Sequence, residues 1–211
     1  MKRKYIYILM QLFTSICVVS VGFASWTFVS GDSIVASGNI KAEDVITDNE
    51  IVSINDTNLL LEYYKTGFID LDENGNKVVS DTGILTITYN INLEKYKEKN
   101  PGATNLDIKI YLDCISTYND FNIFNSTYIE CSEDTTTSVE VSKLTSKVMD
   151  ASSYYINLKL NDITDANLKE LIVTVNYKFV ISNANHKKFY SDVYPKMDGI
   201  TFKPSVMVSG D

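Results

Sequence analysis

"GILTITYNINL", residues 83–93, alternates apolar and polar positions without a break. Leu85, Ile87, Tyr89, Ile91 and Leu93 share one face, and Thr86, Thr88, Asn90 and Asn92 the other. A period of two is the signature of a strand with one buried face. Moving outward, "LDIKIYLDCIS" (106–116) repeats the pattern through Ile108, Ile110, Leu112 and Cys114. "SYYINLKL" (153–160), "LIVTVNYKFVIS" (171–182) and "EIVSIN" (50–55) also read as strands. "NLLLEYYKTGFIDL" (58–71) is apolar and aromatic up to the turn "DENGNK" (72–77). "GITFKPSVMVSG" (199–210) reads as an edge strand, because Pro204 brings no N–H to a ladder. Helix signals are confined to "NLEKYKEKN" (92–100), which stops before Pro101, and "DITDANLKEL" (162–171). Many short strands with few helices predict an all-β fold: a β-sandwich, jelly-roll-like, with one N-terminal hydrophobic export or anchor helix and one or two short helices.

The 211-residue chain carries a formal charge of −8 and has a single arginine, Arg3. Lys2, Arg3 and Lys4 precede an apolar run, so the rest of the chain is more acidic than the total. Acidic surfaces repel phosphate backbones, and no nucleic-acid partner is expected. The wealth of Lys, Asn, Ile and Tyr resembles the product of an AT-rich bacterial genome.

No charge occurs from Tyr5 to Gly31. That length suits a long signal peptide or an uncleaved membrane anchor through residues 5–29. In either case the basic start leaves the N-terminus in the cytoplasm and the domain outside. Gly22 and Ala24 are small residues two apart, as signal peptidase requires, so cleavage is expected after Ala24. Trp26 at a membrane interface is the alternative. Beyond the junction Trp26 and Phe28 flank Thr27, and Ile34, Val35 and Ile40 continue as extended chain. The expected organisation is therefore a signal peptide or anchor at 1–24, a mature N-terminal extended segment at 25–49, and a β-sandwich domain at 50–211.

These N-terminal features carry a family resemblance. An apolar signal ending in small residues, an aromatic pair after it, and then Ala36-Ser37-Gly38-Asn39-Ile40 are similar to the camelysin/TasA family. Its members are Gram-positive surface and biofilm-matrix proteins exported with SipW-type signal peptides. The resemblance covers about the first 45 residues. It implies a secreted or cell-surface structural protein whose partners are copies of itself or related surface proteins. The Leu-Lys-Pro-Gly-Asp type turn usual in the family is absent.

Chemistry-bearing motifs are scarce. Asp70, Asp72 and Asn74, followed by Gly75, match the start of a calcium loop. However, Asp81 stands where a bidentate Glu is usual, and Asn74-Gly75 suits a plain hairpin turn. His186 is the sole histidine and lies in a polar stretch. No His-Glu-x-x-His, Gly-x-Ser-x-Gly or phosphate-loop motif occurs, so no enzyme activity and no cofactor are expected. Asp44 with Asp48, and Glu130 with Glu133 and Asp134, read as solvated carboxylates. Tyr63-Tyr64 and Tyr154-Tyr155 read as half-buried sheet residues or as the lining of a sugar site. Cys114 and Cys131 form a disulfide if two strands bring them together, and otherwise are small buried hydrophobes.

The expected function is therefore an exported structural or interaction protein. It self-associates by β-strand addition through Trp26, Phe28, Ile34, Val35 and Ile40. The alternative is a membrane-anchored extracellular β-sandwich that binds a glycan or a protein.

Overall fold

The computed structural model describes residues 38–41, 51–55, 60–182 and 186–210. Twelve strands occur among them, in three antiparallel four-stranded sheets. They are β1 (Gly38–Lys41), β2 (Val52–Asn55), β3 (Leu60–Tyr64), β4 (Gly67–Leu71), β5 (Lys77–Ser80) and β6 (Thr82–Asn92), then β7 (Leu106–Ser116), β8 (Ile129–Thr137), β9 (Ser142–Met149), β10 (Ser153–Leu160), β11 (Glu170–Ile181) and β12 (Ile200–Ser209). One large sheet runs β2-β6-β11-β8 and the other β12-β7-β10-β9; a small third sheet runs β1-β3-β4-β5.

The alternation read at residues 83–93 does what its chemistry requires. Leu85, Ile87, Tyr89 and Ile91 are fully buried on β6, opposite Tyr177, Val175, Val173 and Leu171 of β11. Each such side chain contributes about 1.5–3 kcal/mol of burial. The outer face is a polar ladder: Thr86 Oγ1 donates to Asn176 Oδ1 at 2.7 Å, and the Thr88 and Thr174 hydroxyls meet at 3.1 Å. On the opposing sheet Leu106, Ile108, Ile110 and Leu112 of β7 point inward, with Ile156 and Leu158 of β10 beside them. Aromatic rings join the two sheets. Phe179 stacks on Phe202 at 5.5 Å, Tyr154 meets Tyr177 edge-on at 5.6 Å, and Phe124 lies 6.0 Å from both Phe179 and Phe202. The fold is thus an all-β sandwich. Of the links from β6 to β12 only β9–β10 is a hairpin; the others cross between sheets, which is the interleaving of a jelly roll.

The helix expected at 92–100 is α1 (Leu93–Lys99). Asn92 Oδ1 caps it by accepting from Lys95 N at 2.9 Å. The helix expected at 162–171 does not form. Asp162 Oδ1 accepts from both Thr164 N and Thr164 Oγ1, and Asp165 Oδ1 accepts from Asn167 N. Lys97 Nζ binds the carbonyls of Asp165 and Leu168. Local Asx turns satisfy this backbone, so it does not coil. A helical stretch lies instead at 186–199, as a short turn followed by π and 3-10 turns. Phe189, Val193 and Met197 are its buried residues.

The third sheet was not expected, and it takes in part of the segment 25–49. β1 belongs to residues 25–49, yet it pairs with β3, with Ile40 opposite Leu61. Gly83 makes room for this sheet: a Cβ there would lie 2.5 Å from Phe68 Cγ and 2.7 Å from Leu61 Cδ1. No described helix is long and apolar enough to cross a membrane. The expected export or anchor helix lies outside the described residues.

Candidate functional site

A β-sandwich that joins a neighbour by strand addition needs a sheet edge whose backbone groups are regular and free to pair. Among the described residues the two large sheets have four edges, β2, β8, β9 and β12. They are not equivalent.

β12 is an edge strand, as Pro204 requires. Thr117 N donates to Gly199 O at the start of its ladder, in register with Ile200 opposite Ser116. Alternation along the strand then turns the odd residues of β12 toward β7 and the even residues outward. Pro204 therefore faces its missing donor to the open side. β9 is interrupted differently. Its register against β10 slips between Asn157, opposite Thr145, and Leu158, opposite Lys143. The slip leaves Leu144 as the extra residue, 53% exposed, and turns Lys143 inward. A bulge and an inward-pointing lysine are two of the devices that stop edges from pairing. β2 spans only four residues.

β8 has no bulge and no proline, although its Glu133 also faces inward. It pairs with β11 in unbroken register from Ile129–Ile181 to Thr137–Val173. Ser138 N donates to Ile172 O at 2.9 Å, so the even residues bond β11. The backbone N–H and C=O of the odd residues, including Glu133, Thr135 and Thr137, point to the open side. The start of that edge abuts the 3-10 turn Ile123–Asn125, with Cys131 Sγ 3.9 Å from Ile123 O. Glu130, Ser132, Asp134 and Thr136 are exposed on the outer face.

Strand alternation separates the acidic trio of the sequence. Glu130 and Asp134 are solvated as expected, but Glu133 is not: its side chain is 2% exposed and paired with Lys143. Thr135 Oγ1 also donates to it. Burial pushes its carboxyl up, yet hydrogen bonds from Lys143, Ser146 and Thr135 outweigh that and hold it below the ordinary value.

The remaining sequence candidates fall in different places. Ile40, expected on the self-association strand, is fully buried on β1, opposite Leu61 of β3. Trp26, Phe28, Ile34 and Val35 lie outside the described residues, as do Asp44 and Asp48. Of the Asp70–Asn74 stretch, Asp70 and Leu71 end β4 and Asp72, Glu73 and Asn74 enter the β4–β5 turn. Both Asp72 carboxylate oxygens accept from the loop itself, Oδ1 from Asn74 N and Asn76 N and Oδ2 from Asn76 Nδ2. Gly75 supplies the positive φ of 78°. Asp81 lies between β5 and β6, with His186 Nε2 3.5 Å from its Oδ1. Tyr63 and Tyr154 are buried, and the Tyr155 ring lies tilted against Tyr111 with centroids 4.9 Å apart. Cys114 and Cys131 are both thiols.

Loops at one end of the sandwich enclose a small cleft lined by Asp120, Phe121, Asn122, Asn125, Tyr128 and Lys196. Its strongest charges satisfy each other: Lys196 Nζ lies 2.6 Å from Asp120 Oδ2 and over the Phe121 ring. Sequence reading missed β8 and β9 because their apolar positions are few. The stretch 186–199 did carry a signal, namely apolar residues at four-residue intervals (Phe189, Val193, Met197). Comparison with protein-family models, with curated proteins and with solved structures finds no match.

Proposed function

We propose that this chain is an exported structural protein of the cell surface or extracellular matrix that assembles by β-strand addition. The extended segment after Ala24 of one copy pairs with the open edge of β8 in the next. The observation that carries this reading is the regular outward backbone of Glu133, Thr135 and Thr137 on an edge with no proline or bulge. Each main-chain bond gained contributes a net 0.5–1.5 kcal/mol, about the usual value. Burying Trp26 and Phe28 against the acceptor adds about 1.5–3 kcal/mol each, before ordering costs. Export rests on Lys2-Arg3-Lys4 and the uncharged run that follows. The partners are other copies or related surface proteins, together with signal peptidase. Catalysis, cofactors and nucleic acid have no part in this reading.

The test uses the exported protein and two variants. Deleting Ser25–Ser30 removes the donor strand. Thr135→Pro removes one outward N–H from the acceptor and spares the β11 ladder. Both should abolish higher-order species in sedimentation while leaving the far-ultraviolet β spectrum unchanged. Wild-type protein that stays monomeric at high concentration, or assemblies that survive both changes, would overturn the proposal. N-terminal sequencing separates this reading from a membrane-anchored ligand-binding domain, which retains residues 5–29.

A further inference from the structure

Cys114 lies on β7 opposite Phe202, and Cys131 lies on β8 opposite Phe179. Phe179 and Phe202 stack on each other across the interior at 5.5 Å. The two cysteines therefore flank the same inter-sheet contact from opposite sheets. One short segment ties both down. Asn122 Nδ2 donates to Cys114 O at 2.9 Å, and Cys131 Sγ lies 3.9 Å from the carbonyl of the next residue, Ile123. Phe124, one residue further, packs against both phenylalanines. The chain between the cysteines thus folds back over the point where the sheets meet.

We infer that Cys114 and Cys131 are a redox pair that closes into a disulfide joining the two sheets of the sandwich. The oxidant is a small or protein disulfide outside the cytoplasm. A thiolate of the pair attacks it and releases one thiol, leaving a mixed disulfide. The second cysteine then attacks its partner's sulfur and releases the other thiol. Two protons and two electrons pass from the pair to the oxidant, which leaves as two thiols.

The same geometry sets the order of events. Cys114 is 4% exposed. Burial pushes its thiol up to about 11, and burial together with the neighbouring Cys114 pushes Cys131 up to about 12. Thiolate is the attacking species, so the folded, reduced domain reacts slowly. The bond forms while the exported chain folds, before the sheets close over it.

The experiment refolds the full chain from denaturant, in mild detergent, with and without oxidised glutathione, and follows it by intact mass and alkylation under denaturing conditions. Cys17 is replaced by serine to keep a third thiol out of the count. The expected product of oxidative refolding is a monomer that has lost two hydrogens, resists alkylation, and melts at a higher temperature than the reduced form. Native reduced protein should react with an aromatic disulfide reagent at least tenfold more slowly than unfolded protein. Cys114→Ala and Cys131→Ala should each restore one alkylatable thiol. Oxidative refolding that leaves both thiols alkylatable, or yields only glutathione adducts or intermolecular dimers, would overturn the inference.

Discussion

Lys143 of β9 and Glu133 of β8 are ion-paired between the two large sheets, with the carboxylate 2% exposed and the lysine 42% exposed. The β9 bulge makes the contact, because it places Lys143 opposite inward-facing Leu158. A buried carboxylate is costly unless it is paired, so removing the lysine costs more than the contact itself contributes. Lys143→Ala should destabilise the domain by about 2 kcal/mol in urea unfolding. Lys143→Ala with Glu133→Gln should recover much of that loss.

The same pair predicts an acid dependence. Glu133 is held below its ordinary value when folded, so in the range between the folded and unfolded values the unfolded chain binds more protons. The stability from this contact is complete above the ordinary carboxylate pKa and is lost as pH falls through the lower folded value. Urea midpoints taken from neutral to strongly acidic pH should fall less steeply for Glu133→Gln than for the wild type. Identical slopes would show that the carboxylate is not held in this way.

Ile40 separates folding from assembly. It is fully buried against the small sheet, so Ile40→Ala should cost about 2–4 kcal/mol. The melting temperature should fall, while the association of the folded fraction, measured by sedimentation, should be unchanged. A loss of association without a loss of stability would return Ile40 to the self-association strand.

Gly83 should tolerate no side chain. Even a methyl group would meet Phe68 and Leu61 well inside contact distance, and overpacking of this kind costs about 1–3 kcal/mol. Gly83→Ala should lower the melting temperature. The adjacent outward change Ile84→Thr, at a position 44% exposed, should leave it within a degree or two, because surface substitutions usually stay within about 0.5 kcal/mol.

The β4–β5 turn predicts indifference to calcium. Asp72 spends its oxygens on Asn74 and Asn76, which also holds its carboxyl below the ordinary value. A site saturated at a hundred times its dissociation constant would add about 2.7 kcal/mol. Millimolar calcium should therefore leave the thermal transition in place. Asp72→Ala should lower the melting temperature by the same small amount whether or not calcium is present.

Local alternation by itself determined the strands at the heart of the molecule. β7 and β10, and β6 and β11 to within a residue, lie where Ile108–Cys114, Tyr154–Leu160, Leu85–Ile91 and Leu171–Ile181 alternate, with Leu93 falling in α1 rather than β6. A strand with one buried face must show that pattern in its own residues. The short helix ahead of Pro101, the edge position of Pro204 and the Asn74-Gly75 turn were legible for the same reason: each acts within a few residues of itself. Tertiary structure alone decided what depends on distant partners. β8 and β9 have weak apolar alternation, and β8 becomes a strand because β11 offers it a ladder. Residues 162–171 hold helix-like letters, but Asx turns and Lys97 claim their backbone. Ile40 reads as part of a free extended segment until β3 and the space at Gly83 draw it into the core. The inward turn of Lys143, the open backbone of β8 and the facing of Cys114 and Cys131 depend on register between strands far apart in sequence, which side-chain periodicity within one strand does not encode.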